Sequence, residues 1–242
     1  GATIASTASL PGGMVYRGTI RITGIYGAML GDATSLTIDH VVTSGAEIIL
    51  VFWMGDYYGT DTVTVSVSGA TLINTGSAYP DEIQFVEGHI FYAASAGTYP
   101  ISIVRNRQRG ASIGIVALSN TRFPIPAGIS SSLFYGFTAQ TAIYDSEVSY
   151  TPGFSNGLIA VLGENRGAVD PEQEFFISTP GGVATGLSLR GLPTGGATYN
   201  NIGPAGGIFA LGIWIADRVG ILNFPAWSAS TTLHAPARVS LP

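Results

Sequence analysis

Hydrophobic residues along this chain gather in short runs that are bounded by turn residues. Residues 46–54 read Ala-Glu-Ile-Ile-Leu-Val-Phe-Trp-Met, and similar runs recur at 113–118, 157–162 and 208–215. The run at 46–54 is too long for an ordinary surface strand and too short to cross a bilayer. Runs of this kind are typical of the buried central strands of a two-layer β protein.

Other segments alternate between apolar and polar residues, which predicts strands with one buried face. Val63, Val65 and Val67 are expected to point inward, while the Ser and Thr residues between them point outward. Gly69 then permits a turn or a bulge. No segment combines a helix cap with an apolar repeat of three or four residues, so no helix is predicted. The predicted strands are 35–42, 48–54, 61–68, 89–94, 99–105, 113–118, 134–144, 158–162, 175–178 and 208–215.

The spacing of these strands, about 8–12 residues, is typical of a sandwich, a jelly roll or a barrel. We therefore predict an all-β fold, with a jelly-roll-like antiparallel β-sandwich at residues 35–217. An extended N-terminal arm at 1–34, which ends in a predicted strand at 14–25, and an irregular Pro-containing C-terminal tail at 218–242 flank it. The arm is expected to be ordered by a neighbouring molecule rather than by the chain's own core. The two halves of the sandwich are similar, which predicts one Greek key in each, and the Gly-rich stretch 181–196 is predicted to be loop.

The composition favours a protein that assembles. Charged residues make up only 10% of the 242 residues, against about 25% in a typical globular domain. Polarity comes instead from Ser, Thr, Asn and Gly, a poor surface for a free monomer. Every basic residue is Arg, which interfaces favour, although a GC-rich genome explains the lack of Lys equally well.

Charge, cysteine content and hydropathy exclude several classes of function. The net charge of −5 and the lack of a basic stripe argue against nucleic-acid binding. The chain has no Cys, which rules out disulfides, thiolate catalysis and Cys-based zinc sites. No apolar run is long enough for a membrane span, and the N-terminal residues lack the features of a signal peptide.

One candidate ligand-binding or interface loop follows the run at 46–54. It comprises Trp53, Asp56, Tyr57 and Tyr58, whose rings suit stacking on sugar faces while the carboxylate binds hydroxyls. The alternative is that these rings cap the core or an intersubunit contact, which is the commoner use of buried aromatic residues.

A second candidate is a row of interface arginines, Arg105, Arg107 and Arg109. Their period of two predicts one solvent-facing edge of a strand. Across a subunit boundary, desolvated and bidentate pairs with carboxylates would fix the register of two copies. Exposed pairs within one chain would contribute little.

Two groups of acidic residues offer oxygen ligands of the kind that Ca²⁺ prefers: Asp81 with Glu82, and Asp170 with Glu172 and Glu174. The EF-hand pattern is absent, and solvated loop carboxylates are the commoner explanation. No metal site is therefore predicted.

Catalytic motifs are also missing. His40, His89 and His234 are far apart in sequence, and there is no Gly-x-Ser-x-Gly elbow, no His-Glu-x-x-His, no phosphate loop and no dinucleotide fingerprint. We predict no catalytic residue and no cofactor, and hence a protein that is not an enzyme.

The order of the β segments resembles a known family. The pieces that carry the resemblance are Thr-Ser-Gly-Ala at 43–46, the apolar strand 48–52, Val-Thr-Val-Ser-Val-Ser-Gly at 63–69, Ile-Phe-Tyr at 90–92, Ala-Gly-Thr at 96–98, Val-Ala-Leu-Ser-Asn at 116–120, Phe-Ser-Asn-Gly-Leu-Ile-Ala-Val at 154–161 and Phe-Ala-Leu-Gly-Ile at 209–213. In this order they resemble the jelly-roll β-sandwich domain of phage virion proteins (capsid decoration, spike or fibre) and of bacterial surface proteins. The resemblance covers about residues 35–216 and implies a non-catalytic module on a particle or cell surface.

These observations lead to one functional expectation and one alternative. The expectation is a structural protein of a tailed phage or phage-like particle, located in the virion, which decorates the capsid or forms a spike or fibre. Its partners would be further copies of itself, other virion proteins and, through the loop at residues 56–60, a host surface glycan. The alternative is a secreted carbohydrate-binding β-sandwich module, which predicts exposed aromatic residues on one face and a monomer in solution.

Overall fold

The chain folds into antiparallel β-sheets, which confirms the predicted all-β class. The computed structural model describes residues 2–8, 20–31, 33–56, 62–78, 84–107, 111–140, 147–150, 157–165, 173–178, 184–191, 197–200 and 208–218. A single turn of 3-10 helix, Ser131–Leu133, is the only helix in these ranges. The strands are β1 (Ala2–Ala8), β2 (Arg21–Leu30), β3 (Ser35–Val42), β4 (Glu47–Asp56), β5 (Val63–Val67), β6 (Thr71–Ala78), β7 (Gln84–Ala93), β8 (Gly97–Arg105), β9 (Ala111–Ser119), β10 (Tyr135–Gln140), β11 (Glu147–Tyr150), β12 (Gly157–Asn165), β13 (Gln173–Ser178), β14 (Ala184–Gly191), β15 (Ala197–Asn200) and β16 (Ile208–Ala216).

The strands form one large sheet and three smaller ones. The large sheet has six strands in the order β1-β2-β9-β4-β7-β6. A three-stranded sheet has the order β3-β8-β5, and a five-stranded sheet has the order β10-β16-β12-β14-β13. β11 and β15 pair as a separate two-stranded ribbon.

The six-stranded sheet is a middle layer with both faces buried. On one face, Leu50 and Phe52 of β4 pack in a core with residues of the five-stranded sheet. On the other face, Ile49, Val51 and Trp53 pack in a second core with residues of the three-stranded sheet. A strand covered on both faces needs apolar residues at every position, which accounts for the uninterrupted run in β4. The structure therefore has three layers where the sequence predicted two.

The strands β2 to β9 follow a jelly-roll path on their own. Their order in the two facing sheets is β2-β9-β4-β7 and β3-β8-β5, as in an eight-stranded jelly roll. β6 departs from that scheme because it pairs with β7 and so extends the middle sheet. Seven of these eight strands thus take the jelly-roll order within residues 21–119, so the prediction of one Greek key in each half was wrong.

Part of the predicted N-terminal arm belongs to this sheet. Ile20, Ile22 and Ile25 are buried in the core, and β2 pairs with β9 along its length. Arg21 and Thr23 alternate with these residues and are exposed. Residues 9–19 and 219–242 lie outside the described residues, so the arm and the tail as such stay predictions.

Candidate functional site

The solvent side of the three-stranded sheet is a regular surface that carries little charge. We call it the outer face, and it consists of Ser35, Thr37, Asp39, Val41, Thr64, Ser66, Thr98, Pro100, Ser102 and Val104. These residues alternate with the inward side chains of β3, β5 and β8, as the spacing of Val63, Val65 and Val67 predicted. Asp39 is the only charged residue of this face. Val41 and Val104 are 56% and 46% exposed.

The strand β6 continues this uncharged surface around one edge of the molecule. It ends the six-stranded sheet, where β7 is its only partner among the described strands. None of its residues is charged or Pro, and most of them are exposed, with Leu72 at 51%. Natural sheets usually protect an edge with charges, Pro or bulges. β6 has one bulge, between Leu72 and Asn74, and otherwise offers a plain edge for pairing.

Trp53, the first residue of the predicted ligand loop, lies in the second core. It is 1% exposed, and its ring centroid is 4.8 Å from that of Phe85. Its Nε1 donates a hydrogen bond of 2.8 Å to Oε2 of Glu87. The ring therefore offers no face to a sugar, and it takes the alternative role of core packing. Asp56 is the last residue of β4, and Tyr57 and Tyr58 lie outside the described residues.

Glu87 connects Trp53 to a second polar side chain, His89. Nε2 of His89 lies 3.4 Å from Oε2 of Glu87, and its Nδ1 is hydrogen-bonded to Oγ1 of Thr75 at 3.1 Å. Burial alone would raise the pKa of Glu87, but the contacts with His89 and Trp53 outweigh it, so the pKa lies below its usual value. This carboxylate is thereby held in its charged form beneath the surface of the middle sheet.

The predicted row of arginines does not form one exposed edge. Arg105 is 3% exposed, and its Cζ lies 5.9 Å from the centroid of the Trp53 ring, within the range of a cation–π contact. Arg107 follows β8 and is exposed, while Arg109 lies outside the described residues. The prediction of a solvent-facing row was wrong for Arg105, because β8 turns its odd-numbered positions toward the core.

A second polar cluster, which the sequence analysis missed, lies between the middle and three-stranded sheets. Nε2 of His40 is 2.7 Å from Oε2 of Glu47, and the two side chains are 1% and 2% exposed. Oγ1 of Thr23 donates to the same carboxylate oxygen at 2.7 Å. The hydroxyl of Tyr26 is hydrogen-bonded to Nδ1 of His40 at 2.9 Å. A signal for this cluster was present, since His40 falls on the inward positions of β3 together with Leu36 and Ile38.

The surroundings of Tyr26 in this cluster shift the pKa of its hydroxyl group. Burial, followed by repulsion from the Glu47 carboxylate, raises the pKa of Tyr26 above 10.0. The phenol therefore stays protonated and is a poor nucleophile. Gly24 leaves room for the Tyr26 ring, because a Cβ there would lie 2.9 Å from it.

No described part of the chain offers a metal site. Within the described ranges, no three His, Asp or Glu side chains come together as ligands. Four of the acidic loop residues, Asp81, Glu82, Asp170 and Glu172, lie outside these ranges. That they are solvated carboxylates rather than calcium ligands therefore stays a prediction. In the part of the chain that the structure describes, no helix is long and apolar enough to cross a membrane.

Comparison with protein-family models, with curated proteins and with solved structures found no match to this chain. Its function is therefore inferred from its own residues and their geometry.

Proposed function

We propose that this chain is a non-enzymatic structural subunit of a virion, from a tailed phage or phage-like particle, which decorates a capsid or forms a spike or fibre as a homo-oligomer. The observation that carries the proposal is the outer face, together with the edge of β6. Asp39 is the only charged residue among the exposed residues of β3, β5, β6 and β8. A second copy of the chain is the partner that this surface fits best.

The chemistry of the outer face favours protein contacts over exposure to water. Depletion of charge distinguishes the centre of an interface from the rest of a surface. Exposed Val41 and Val104 supply apolar area, while the Ser and Thr hydroxyls form hydrogen bonds without the desolvation penalty of ions. An edge strand such as β6 adds backbone pairing, in which main-chain groups of a second molecule extend the sheet.

The three-layer architecture suits a load-bearing role. The central strands of the middle sheet are buried on both faces: Leu50 and Val116 on one face and Val51 and Ile115 on the other are 0% exposed. Such close-packed interiors have low compressibility and transmit strain. Jelly-roll domains occur in viral capsids and also in lectins, so the path of β2 to β9 agrees with the proposal without deciding it.

The alternative, a secreted carbohydrate-binding module, is weaker once Trp53 is seen to be buried. It depends on Asp56, Tyr57 and Tyr58 alone, and no contact of a described residue favours it. A host-attachment loop at residues 56–60 remains part of the virion proposal.

Light scattering of the purified chain tests the proposal. We expect the full chain to form an oligomer of defined mass, and the chain trimmed to residues 20–218 to fall toward a monomer if the trimmed segments dock neighbouring copies. This trimming removes β1, which pairs with β2, and retains the strands β2 to β16. A monomer in both forms that binds sugars on a glycan array would contradict the proposal and favour the carbohydrate-binding alternative.

A further inference from the structure

A pocket opens at one end of the middle sheet. It lies where β2 begins, where β9 ends, beside the turn that precedes β4, and where β16 ends. Its volume is about 660 Å³, within the range of small-molecule sites. Register brings these elements together, because Ser119 pairs with Arg21 on one side and with Glu47 on the other.

Three arginines line this pocket: Arg21, Arg122 and Arg218. They come from different parts of the chain, and they are three of its 10 basic residues. Among the described residues, no acidic residue lines the pocket with them. Glu47 and Asp217, which adjoin lining residues in the chain, are buried at 2% and 0% exposure.

Backbone contacts fix the positions of two of the arginines. The backbone N–H of Arg218 donates to the carbonyl of Asn120 at 3.0 Å, and that of Arg122 donates to the carbonyl of Ala216 at 3.1 Å. The two arginine side chains are therefore attached to adjacent backbone segments that are hydrogen-bonded to each other. Asn120 itself adopts a left-handed conformation, with φ of 58°.

The side chain of Arg122 is fixed as well. Its Nε donates to the carbonyl of Asp217 at 3.2 Å and its Nη1 to the carbonyl of Leu133 at 2.7 Å. Burial lowers its pKa and the nearby Asp217 charge counters this effect, so the guanidinium remains a cation. In contrast, Arg21 and Arg218 are exposed, and no described residue forms a hydrogen bond or ion pair with either side chain.

We propose that this pocket binds the phosphate or carboxylate group of a small ligand. Arg21 and Arg218 are two exposed cations on the same cavity as Arg122, whose charge the nearby Asp217 partly offsets. An anion between the two exposed guanidinium groups lowers their mutual repulsion. Guanidinium groups match phosphate and carboxylate oxygens bidentately. The polar side chains of Ser119, Asn120 and Thr121 line the same pocket and suit the hydroxyl groups of such a ligand. The site does not depend on the proposed virion role, since it lies at one end of the middle sheet rather than on the outer face.

Calorimetric titration of the full chain tests the site. The probes are inorganic phosphate and glucuronate, each titrated at constant ionic strength against a chloride blank. We compare the wild type with Arg21→Gln and Arg218→Gln, which remove exposed side chains and are expected to leave the melting temperature unchanged. Each substitution should weaken binding roughly tenfold or more, the effect of one charge-assisted contact.

Arg107→Gln is the matched control, because it removes an exposed guanidinium near the opposite end of the sheets and should leave affinity unchanged. Binding of phosphate alone would support the site and identify its group as a phosphate, and binding of glucuronate alone would support it and identify a carboxylate. The absence of binding for both probes would overturn the proposal. An equal loss in Arg107→Gln and the two pocket variants would also overturn it, since the effect would then be that of net charge.

Discussion

Trp53 and Arg105 illustrate how the role of a residue depends on what covers its strand. In the sequence, Trp53 lies near the end of a predicted strand and is followed by Gly55 and Asp56, which predicted that a loop begins there. β4 instead continues to Asp56, which pairs with Gln84, and the three-stranded sheet covers the Trp53 ring. The local sequence pattern cannot predict which side chains a sheet distant in sequence will bury. The inward positions of Val63, Val65 and Val67, in contrast, follow from a period of two and were correctly predicted.

Glu87 predicts a pH dependence of stability. Its pKa in the folded state is lower than the unfolded value of 4.5, so its contribution is complete above that value and is lost as the pH falls through the folded pKa. In urea unfolding from pH 7 to pH 3, the stability gap between the wild type and Glu87→Gln should therefore shrink with falling pH. Trp53→Phe, which removes the indole N–H that donates to Glu87, should show a smaller pH dependence than the wild type. A difference in stability between the wild type and Glu87→Gln that stays constant from pH 7 to pH 3 would contradict the lowered pKa of Glu87.

The pair of His40 and Glu47 predicts a second effect at the residue scale. Glu47→Leu leaves Nε2 of the buried His40 without its partner and should lower the free energy of unfolding by about 1–3 kcal/mol. The double variant His40→Leu with Glu47→Leu removes both partners and should cost less than the single variant. Urea unfolding of both variants and the wild type measures this difference. A double variant that costs more than Glu47→Leu alone would contradict this account of the pair.

At the scale of elements, the strands that were predicted are those with an unambiguous pattern. β3 has the predicted bounds, 35–42, and the apolar runs correspond to β4, β9, β12 and β16. β6 was missed because it is mostly exposed and shows no apolar alternation. β14 was missed because its glycines made 181–196 read as loop, although it pairs with β12 and β13.

Glycines in the strands let the sheets approach closely, and Gly76 of β6 gives the sharpest test. A Cβ at Gly76 would lie 2.3 Å from the ring of Phe137 in β10, so Gly76→Ala should force the two strands apart and cost about 1–3 kcal/mol. Ser77→Ala, at the next and exposed position of the same strand, should have little effect. Thermal unfolding of both variants compares them. Equal stabilities would show that β6 does not pack against β10.

At the scale of the whole molecule, the sequence predicted the β-sandwich but not its number of layers. The uninterrupted apolar runs of β4 and β9 did carry the signal, because only a strand covered on both faces needs apolar residues throughout. The identity of the covering sheets could not be inferred, since strands of the second half show the same local pattern as those of the first. Long-range pairing decides which sheet a strand joins. That pairing placed the second half as a third layer over the two sheets that β2 to β9 form.

The central claim is that the outer face joins copies of this chain, and the most direct test is the solution mass of a variant with charges on that face. Val41→Lys combined with Val104→Lys places like charges where two copies would meet, which strongly opposes association. Both positions are exposed, so the melting temperature should not change. Ala127→Lys with Ser131→Lys adds the same charge at exposed positions away from the outer face and serves as the control. We predict an oligomer for the wild type and the control and a monomer for the outer-face variant; an outer-face variant that keeps the oligomeric mass of the wild type would contradict the account.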